Sequence, residues 1–245
     1  VQVQYIQKYA YSPVYKNTYT EYLPIGEVKF ERLKEELAKA RHYIFLEYFI
    51  VQEGVMWDAI LEILKEKVKQ GVEVRMIYDD MGCIMTLPYR YDRRLEALGI
   101  QCCVFNPFVP VLTSRLNNRD HRKITAIDGK VGFTGGYNLA NEYFNFTHPY
   151  GQWKDTGIRL EGEAVRSLTV TFLEMWNAVS DKDKNDSDFT GFLVQTDYQA
   201  KQIGFIQPYA DSPMDHEQVG EEVYISMVNK AEKYCWFMTP YLIIT

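Results

Sequence analysis

Apolar positions along the chain switch between two periods, and the switches mark out the elements. Phe30, Leu33, Leu37 and Ala40 recur at helical spacing with charges on the other faces, which predicts an amphipathic helix over 27–41. Residues 43–51 form a continuous apolar run broken by Glu47, as suits a strand buried on both faces. A second helical stripe over 57–69 is closed by Gly71. A strand over 72–78 then ends in Asp79-Asp80-Met81-Gly82, and a helix over 88–98 stops at Gly99 before a strand over 101–105. Strand–helix–strand repetition of this kind implies a parallel, right-handed α/β core with its ligand site beyond the carboxyl ends of the strands.

The remaining pattern is less regular. Residues 1–24, rich in Tyr, Gln and Thr, show no helical period and read as extended segments reaching a strand near Thr20–Leu23. Strands over 122–128 and 131–134 flank a Gly129-Lys130 turn, and 139–145 starts a helix or an irregular turn. A strand over 153–160 leads through Gly162 into a helix over 163–179 with Ala164, Leu168, Phe172, Met175 and Trp176 on its buried face. The charged run from Asp181 to Asp188 reads as a linker. After it, Lys230-Ala231-Glu232-Lys233 followed by Tyr234-Cys235-Trp236-Phe237 repeats the form of Lys39-Ala40-Arg41-His42 followed by Tyr43-Ile44-Phe45-Leu46. The expected layout is a first domain over 1–180, a linker over 181–190, and the opening of a second, truncated copy over 191–245.

Composition narrows the function. Net charge is −6 and the sequence pI about 5.4, which argues against general nucleic-acid binding. No run has the apolar length that spans a bilayer, and no signal peptide opens the chain. Cys83, Cys102, Cys103 and Cys235 lack metal-ligand spacing, so a reducing compartment is expected, with no metal and no cofactor.

The candidate chemistry sits in Asp120-His121-Arg122-Lys123. Strand alternation aims the His121 imidazole and the Lys123 ammonium the same way, a pairing that suits a phosphate ester. Asp128, an odd number of positions from His121, points to the opposite face as a structural partner of a neighbouring segment. Glu47, in an apolar strand, needs a buried partner, either structural or within the active site. Asp79 and Asp80 read as a turn or as catalytic carboxylates. The apolar, proline-bearing loop 106–112 reads as a lipid-facing surface or as a loop folded back on the core. Arg115, Arg119, Arg122, Lys123 and Lys130 cluster around the motif and point to an anionic substrate.

The spacing His121-x-Lys123-x4-Asp128-x6-Gly135-Gly136-x-Asn138 resembles the HKD motif of the phospholipase D superfamily. Six fixed positions at about one in twenty give a chance match of order 10⁻⁸ per starting point. Leu46-Glu47-Tyr48-Phe49, Tyr78-Asp79-Asp80-x-Gly82 and Trp153-Lys154-Asp155-Thr156 make the chain similar to bacterial cardiolipin synthases in particular. The resemblance implies an α/β phospholipase D-like sandwich, a mainly parallel central sheet flanked by helices, with one complete half and the start of a second. It implies His121, Lys123 and Asp128 as catalytic residues, with Asn138, Gly135, Gly136, Arg119 and Arg122 at the substrate. Glu142 is the alternative orienter of His121. The implied reaction is phosphatidyl transfer between two phosphatidylglycerol molecules through a phosphohistidine, releasing glycerol. The leaving glycerol takes its proton from the histidine of a second half. The implied setting is the cell membrane, with the catalytic domain on the cytoplasmic side, and the partner is a second HKD half or a homodimer mate. The rival readings are a phosphodiesterase or nuclease made from two single-motif halves, and a non-catalytic binding module.

Overall fold

The computed structural model describes residues 1–108, 118–180, 183, 188–194, 198–200, 202–212 and 217–239. Part of the apolar loop, Val109 to Leu112, and Arg115 lie outside them. The chain divides into two compact units, Tyr15–Ile206, and Val1–Val14 together with Gln207–Thr245. These bounds differ from the expected layout of 1–180, 181–190 and 191–245.

The larger unit is built on a seven-stranded sheet in the order β1-β7-β6-β5-β2-β3-β4. The strands are β1 (Thr18–Leu23), β2 (Tyr43–Tyr48), β3 (Glu73–Asp79), β4 (Gln101–Phe105), β5 (Lys123–Ile127), β6 (Val131–Gly135) and β7 (Gly157–Gly162). The expected parallel pairing holds for β2–β3 and β3–β4. The pairings β2–β5, β5–β6, β6–β7 and β7–β1 are antiparallel, so the sheet is mixed. The reason is local: β5 and β6 form a hairpin, and only strands joined by helical crossovers are obliged to run parallel.

Every residue of β2 is buried, as its apolar run requires. Its Ile44, Leu46 and Tyr48 pack with Leu33 and Leu37 of α2 (Gly26–Lys39) and with Trp57 and Leu64 of α3 (Val55–Lys69). Its Tyr43 and Phe45 pack on the other face against Phe172, Leu173 and Trp176 of α6 (Val165–Val179). Between these helices the sheet carries α4 (Asp80–Cys83) and α5 (Tyr91–Ala97), the latter shorter than the expected 88–98. The strand expected over 153–160 begins at Gly157. Residues before it are held as a loop, because the Asn145 side chain bonds both the N–H and the carbonyl of Trp153.

In the smaller unit the N-terminal segment is not extended. Gln2–Tyr9 forms α1, whose Ile6 packs with Val219 and Val223 of α7 (Val219–Lys230). The buried side of α1 is one isoleucine flanked by tyrosines, too polar a stripe to register as a helical period without its partner. No strand forms over 231–239, where Tyr234, Trp236 and Met238 are exposed; residues 240–245 lie outside the described set. A strand needs a ladder neighbour, and none of the described residues supplies one there.

The β5–β6 turn is closed by Asp128, in the left-handed region at φ 53°. Its carboxylate accepts from the backbone N–H groups of Arg41 (2.8 Å), His42 (2.8 Å) and Tyr43 (2.9 Å), tying the hairpin to the start of β2. Asp128→Ala should therefore lower stability by about 2–4 kcal/mol in urea titration, since three charge-assisted bonds are lost, one of them to the buried Tyr43 N–H. Asp128→Asn, which tolerates the backbone and keeps an acceptor, should cost less; equal melting of parent and Ala variant would refute this role.

Candidate active site

The carboxyl ends of β2, β3, β4 and β6 and the amino end of β5 share one edge of the sheet, and the HKD segment lies on it. His121 and Lys123 project to the same side, as alternation requires. The His121 ring lies 4.8 Å from the Phe49 ring, and the Lys123 Nζ lies 5.3 Å from the same ring centroid. His121 is exposed, whereas Lys123 is buried and its Nζ donates to the His121 carbonyl at 2.6 Å. The two groups are thus brought together on an aromatic platform, with the imidazole open to solvent.

The segment is held there by Asp79, fully buried at the end of β3. Its carboxylate pairs with Arg119 (3.2 Å), accepts from the Asp120 N–H (3.0 Å), and accepts from the Gly82 N–H (3.0 Å) at the start of α4. Of the two readings of Asp79, the turn is what its bonds show, and the same carboxylate also fixes the two residues before His121. Asp80 accepts from the Phe108 N–H. Arg119 also donates to the Asn106 carbonyl at 3.2 Å, so its guanidinium is engaged with protein.

The other expected residues are distributed unevenly. Asn138 is buried, its carbonyl accepting from the Ile50 N–H (3.0 Å) and its amide donating to the Tyr143 hydroxyl (2.8 Å). It clamps the Gly-Gly turn to the exit of β2. Gly135, at φ 142°, and Gly136 are required there: a Cβ on the first would strike the Thr156 carbonyl, and one on the second the Asp155 carboxylate. Glu142 lies in a 3₁₀ turn, Asn141–Phe144, and makes no side-chain bond to His121. Asp128 sits at the far end of β5, away from the imidazole. Arg122 points to the α6 side, where its Nε lies 3.0 Å from both Glu47 and Asp120.

Electrostatics at the site follow from burial. Desolvation, and next the Lys123 charge, lower the His121 pKa, against the pull of Asp120 and Asp79. Desolvation lowers Lys123 to about 8, with Asp120, Asp155 and Asp79 opposing. The carboxylates near Lys123 do not offset the burial of its ammonium, so an anion bound beside it would be favoured.

Two residues of this edge were not singled out by sequence reasoning. Lys29 of α2 is wholly buried, its Nζ without a hydrogen-bond partner and 5.1 Å from the Tyr137 ring centroid. Burial lowers it to about 7, with Asp155 opposing and Lys123 adding to the fall. Its signal was legible, since Lys29 stands one helical turn before the buried Leu33. Asp155 belongs to the Trp153-Lys154-Asp155-Thr156 string, but nothing in its local pattern shows that its carboxylate packs on Gly136. Among the described residues, no group of three or more His, Cys, Asp or Glu is placed to hold a metal ion.

The chain is 49% identical over 241 residues to an uncharacterized protein of Streptococcus mutans, covering 98% of this chain and 51% of that protein. It is 37% identical over 234 residues to a cardiolipin synthase of a Geobacillus species, covering 95% and 46%. It thus spans about half the length of the curated relatives it matches. In structure it resembles phosphatidylserine synthase of Haemophilus influenzae (TM-score 0.53, 14% identity, 72% of this chain and 41% of that one). It also resembles NucT of Helicobacter pylori (TM-score 0.51, 13% identity, 66% and 98%), likenesses that concern the fold. A family model described as cardiolipin synthase, PLD-like domain, matches residues 33–176, more than half of the chain and all of the HKD segment, and the chain belongs to that family.

Proposed function

We propose that this chain supplies one catalytic half of a cardiolipin synthase, which transfers a phosphatidyl group between two phosphatidylglycerol molecules at the cytoplasmic side of a membrane. The observation that carries the reading is the side-by-side placement of an open imidazole and a desolvated ammonium on Phe49. An imidazole nitrogen of His121 attacks the phosphorus of the first lipid; a P–N bond forms as the P–O bond to glycerol breaks. The departing glycerol oxygen takes a proton from an acid on a second half, by the resemblance another histidine. A hydroxyl of the second lipid then attacks phosphorus and passes its proton to that same group on the second half, now a base; the P–N bond breaks and cardiolipin leaves. Lys123 stabilises the non-bridging oxygens as charge gathers on them.

Residues 191–245 open that second half in this reading, with 181–190 as the linker. Among the described residues no helix is long and apolar enough to cross a membrane. Within the apolar loop 106–112, Phe108 is exposed. A second reading draws on NucT, of which 98% is covered by the matched part of this chain. One unit of this fold can make up almost a whole chain, so a dimer of single-motif units can bring two histidines together.

In the full-length protein, His121→Ala should abolish cardiolipin formation from phosphatidylglycerol with little change in melting, because the role is covalent and the ring is solvent-exposed. Lys123→Ala should cost about 10²–10³ in rate by loss of one charge stabiliser. Substantial transfer by the His121 variant would end the assignment.

The pH profile of kcat/KM supplies a separate check. Activity should rise as His121 loses its proton, with an acid limb below the ordinary imidazole value of 6.5. It should fall as Lys123 loses its charge near pH 8. Lys123→Arg, which stays charged, should retain less activity but lose the alkaline limb. An alkaline limb unmoved in that variant would assign it to another group.

Sedimentation and a lipid assay on the 245-residue chain separate the two readings. A silent chain is expected if a second half is needed; an active dimer would favour the single-motif arrangement, and an active monomer would refute both.

A further inference from the structure

Glu47 is buried within β2, flanked in register by the apolar Ile77 of β3 and Ile124 of β5. It points to the α6 face, the side occupied by Tyr43 and Phe45, and so away from Lys123. Three charged groups face it or its partner: Asp120 and Arg122 from the HKD segment, and Glu174 of α6, whose carboxyl feels Arg122. The Arg122 Nε stands 3.0 Å from one oxygen of each carboxyl group, Glu47 Oε1 and Asp120 Oδ1. An Nε carries a single hydrogen. That hydrogen goes to Asp120, which leaves both oxygens of Glu47 and the second oxygen of Asp120 buried and without a donor.

Three orphan acceptors around one N–H lack a proton, and a buried carboxylate without donors is costly. We propose that Glu47 is a positioning residue held as the neutral acid, donating its proton to Asp120 and so pinning the residue immediately before His121. Asp120 is then secured from both sides, its backbone by Asp79 and its side chain by Glu47 and Arg122. The electrical consequence matters as much. With Glu47 neutral, the Glu47–Asp120–Arg122 group carries no net charge; with Glu47 ionised it would carry −1 behind a site that has to receive a phosphate anion. That second argument rests on the proposed phosphatidyl transfer, whereas the orphan-oxygen argument does not.

Burial and the Asp120 charge raise Glu47 well above its ordinary value of 4.5, with Arg122 opposing. An acid whose pKa is higher folded than unfolded binds more protons when folded, so its contribution to stability falls as pH rises above 4.5 towards the folded value. Gln is the isosteric stand-in for the neutral acid and carries no such penalty.

The test compares Glu47→Gln and Glu47→Ala with the parent in the full-length protein. The Gln variant should keep the parent rate on phosphatidylglycerol, and its melting temperature relative to the parent should climb between about pH 5 and 8. The Ala variant should lose about 10²-fold in kcat/KM through a loosened His121 segment. Infrared difference spectra of parent against Glu47→Gln near neutral pH should show a protonated-carboxyl C=O band belonging to Glu47. An ion-paired Glu47 would give a different result: no such band, and a Gln variant less stable than the parent by an amount that stays constant between about pH 5 and 8; either overturns the proposal. Should the lipid assay fail for parent and variants alike, the functional reading falls, while melting and infrared still decide the protonation of Glu47.

Discussion

The sheet edge that carries His121 depends on one buried carboxylate. Asp79 ends β3 in the interior, and its oxygens are shared among the Arg119 guanidinium, the Asp120 N–H and the Gly82 N–H. A strand end, a helix start and the approach to His121 are thereby fastened at a single point. Without it, the two residues that lead into the motif would be a loop crossing a sheet edge with unpaired groups on both sides. A carboxylate saturated in this way is also rigid, and under the proposed transfer a histidine that meets phosphorus in line would need that rigidity.

Around this anchor the sheet separates two electrostatic roles by face. On the α2–α3 side are the cations, Lys123 and the wholly buried Lys29, with Asp155 as their common carboxylate neighbour. On the α6 side are the acids, Glu47 and Glu174, gathered about Arg122. Strand alternation does the sorting: the neighbouring cations Arg122 and Lys123 serve different ends because they emerge on opposite faces. On this face the Asp155 carboxylate serves two ammonium groups, and it does not offset their burial. An incoming phosphate diester would supply the missing charge in a poorly solvated place, where each interaction counts for more than it would in water.

The family's signature therefore divides into working and supporting residues. The His121 imidazole is open to solvent with the Lys123 ammonium beside it, whereas Asn138, Arg119 and the Gly-Gly pair are occupied in building the edge. Asp128, inside the same signature, holds the opposite end of β5 to β2. A compact motif in sequence is thus spread along the whole length of a hairpin, and its fixed spacing reflects the distance between a chemical end and a structural one.

The sequence by itself determined the α/β class, the helices α2, α3 and α6, the parallel β2–β3–β4 set and the common face of His121 and Lys123. These follow from local periodicity: burial of one helical stripe or one strand face is written into residues close together in the chain. It also placed Asp128 off the catalytic face, by counting positions. Only the tertiary structure decided that α1 is a helix, because its apolar side is completed by α7, more than 200 residues away. It alone revealed the antiparallel seam between β2 and β5, Asp155 beneath Gly136, and the partners of Glu47 and Asp79. Each of these joins residues distant in the chain, and a buried charge chooses among whatever polar groups folding brings within reach, which no local pattern records.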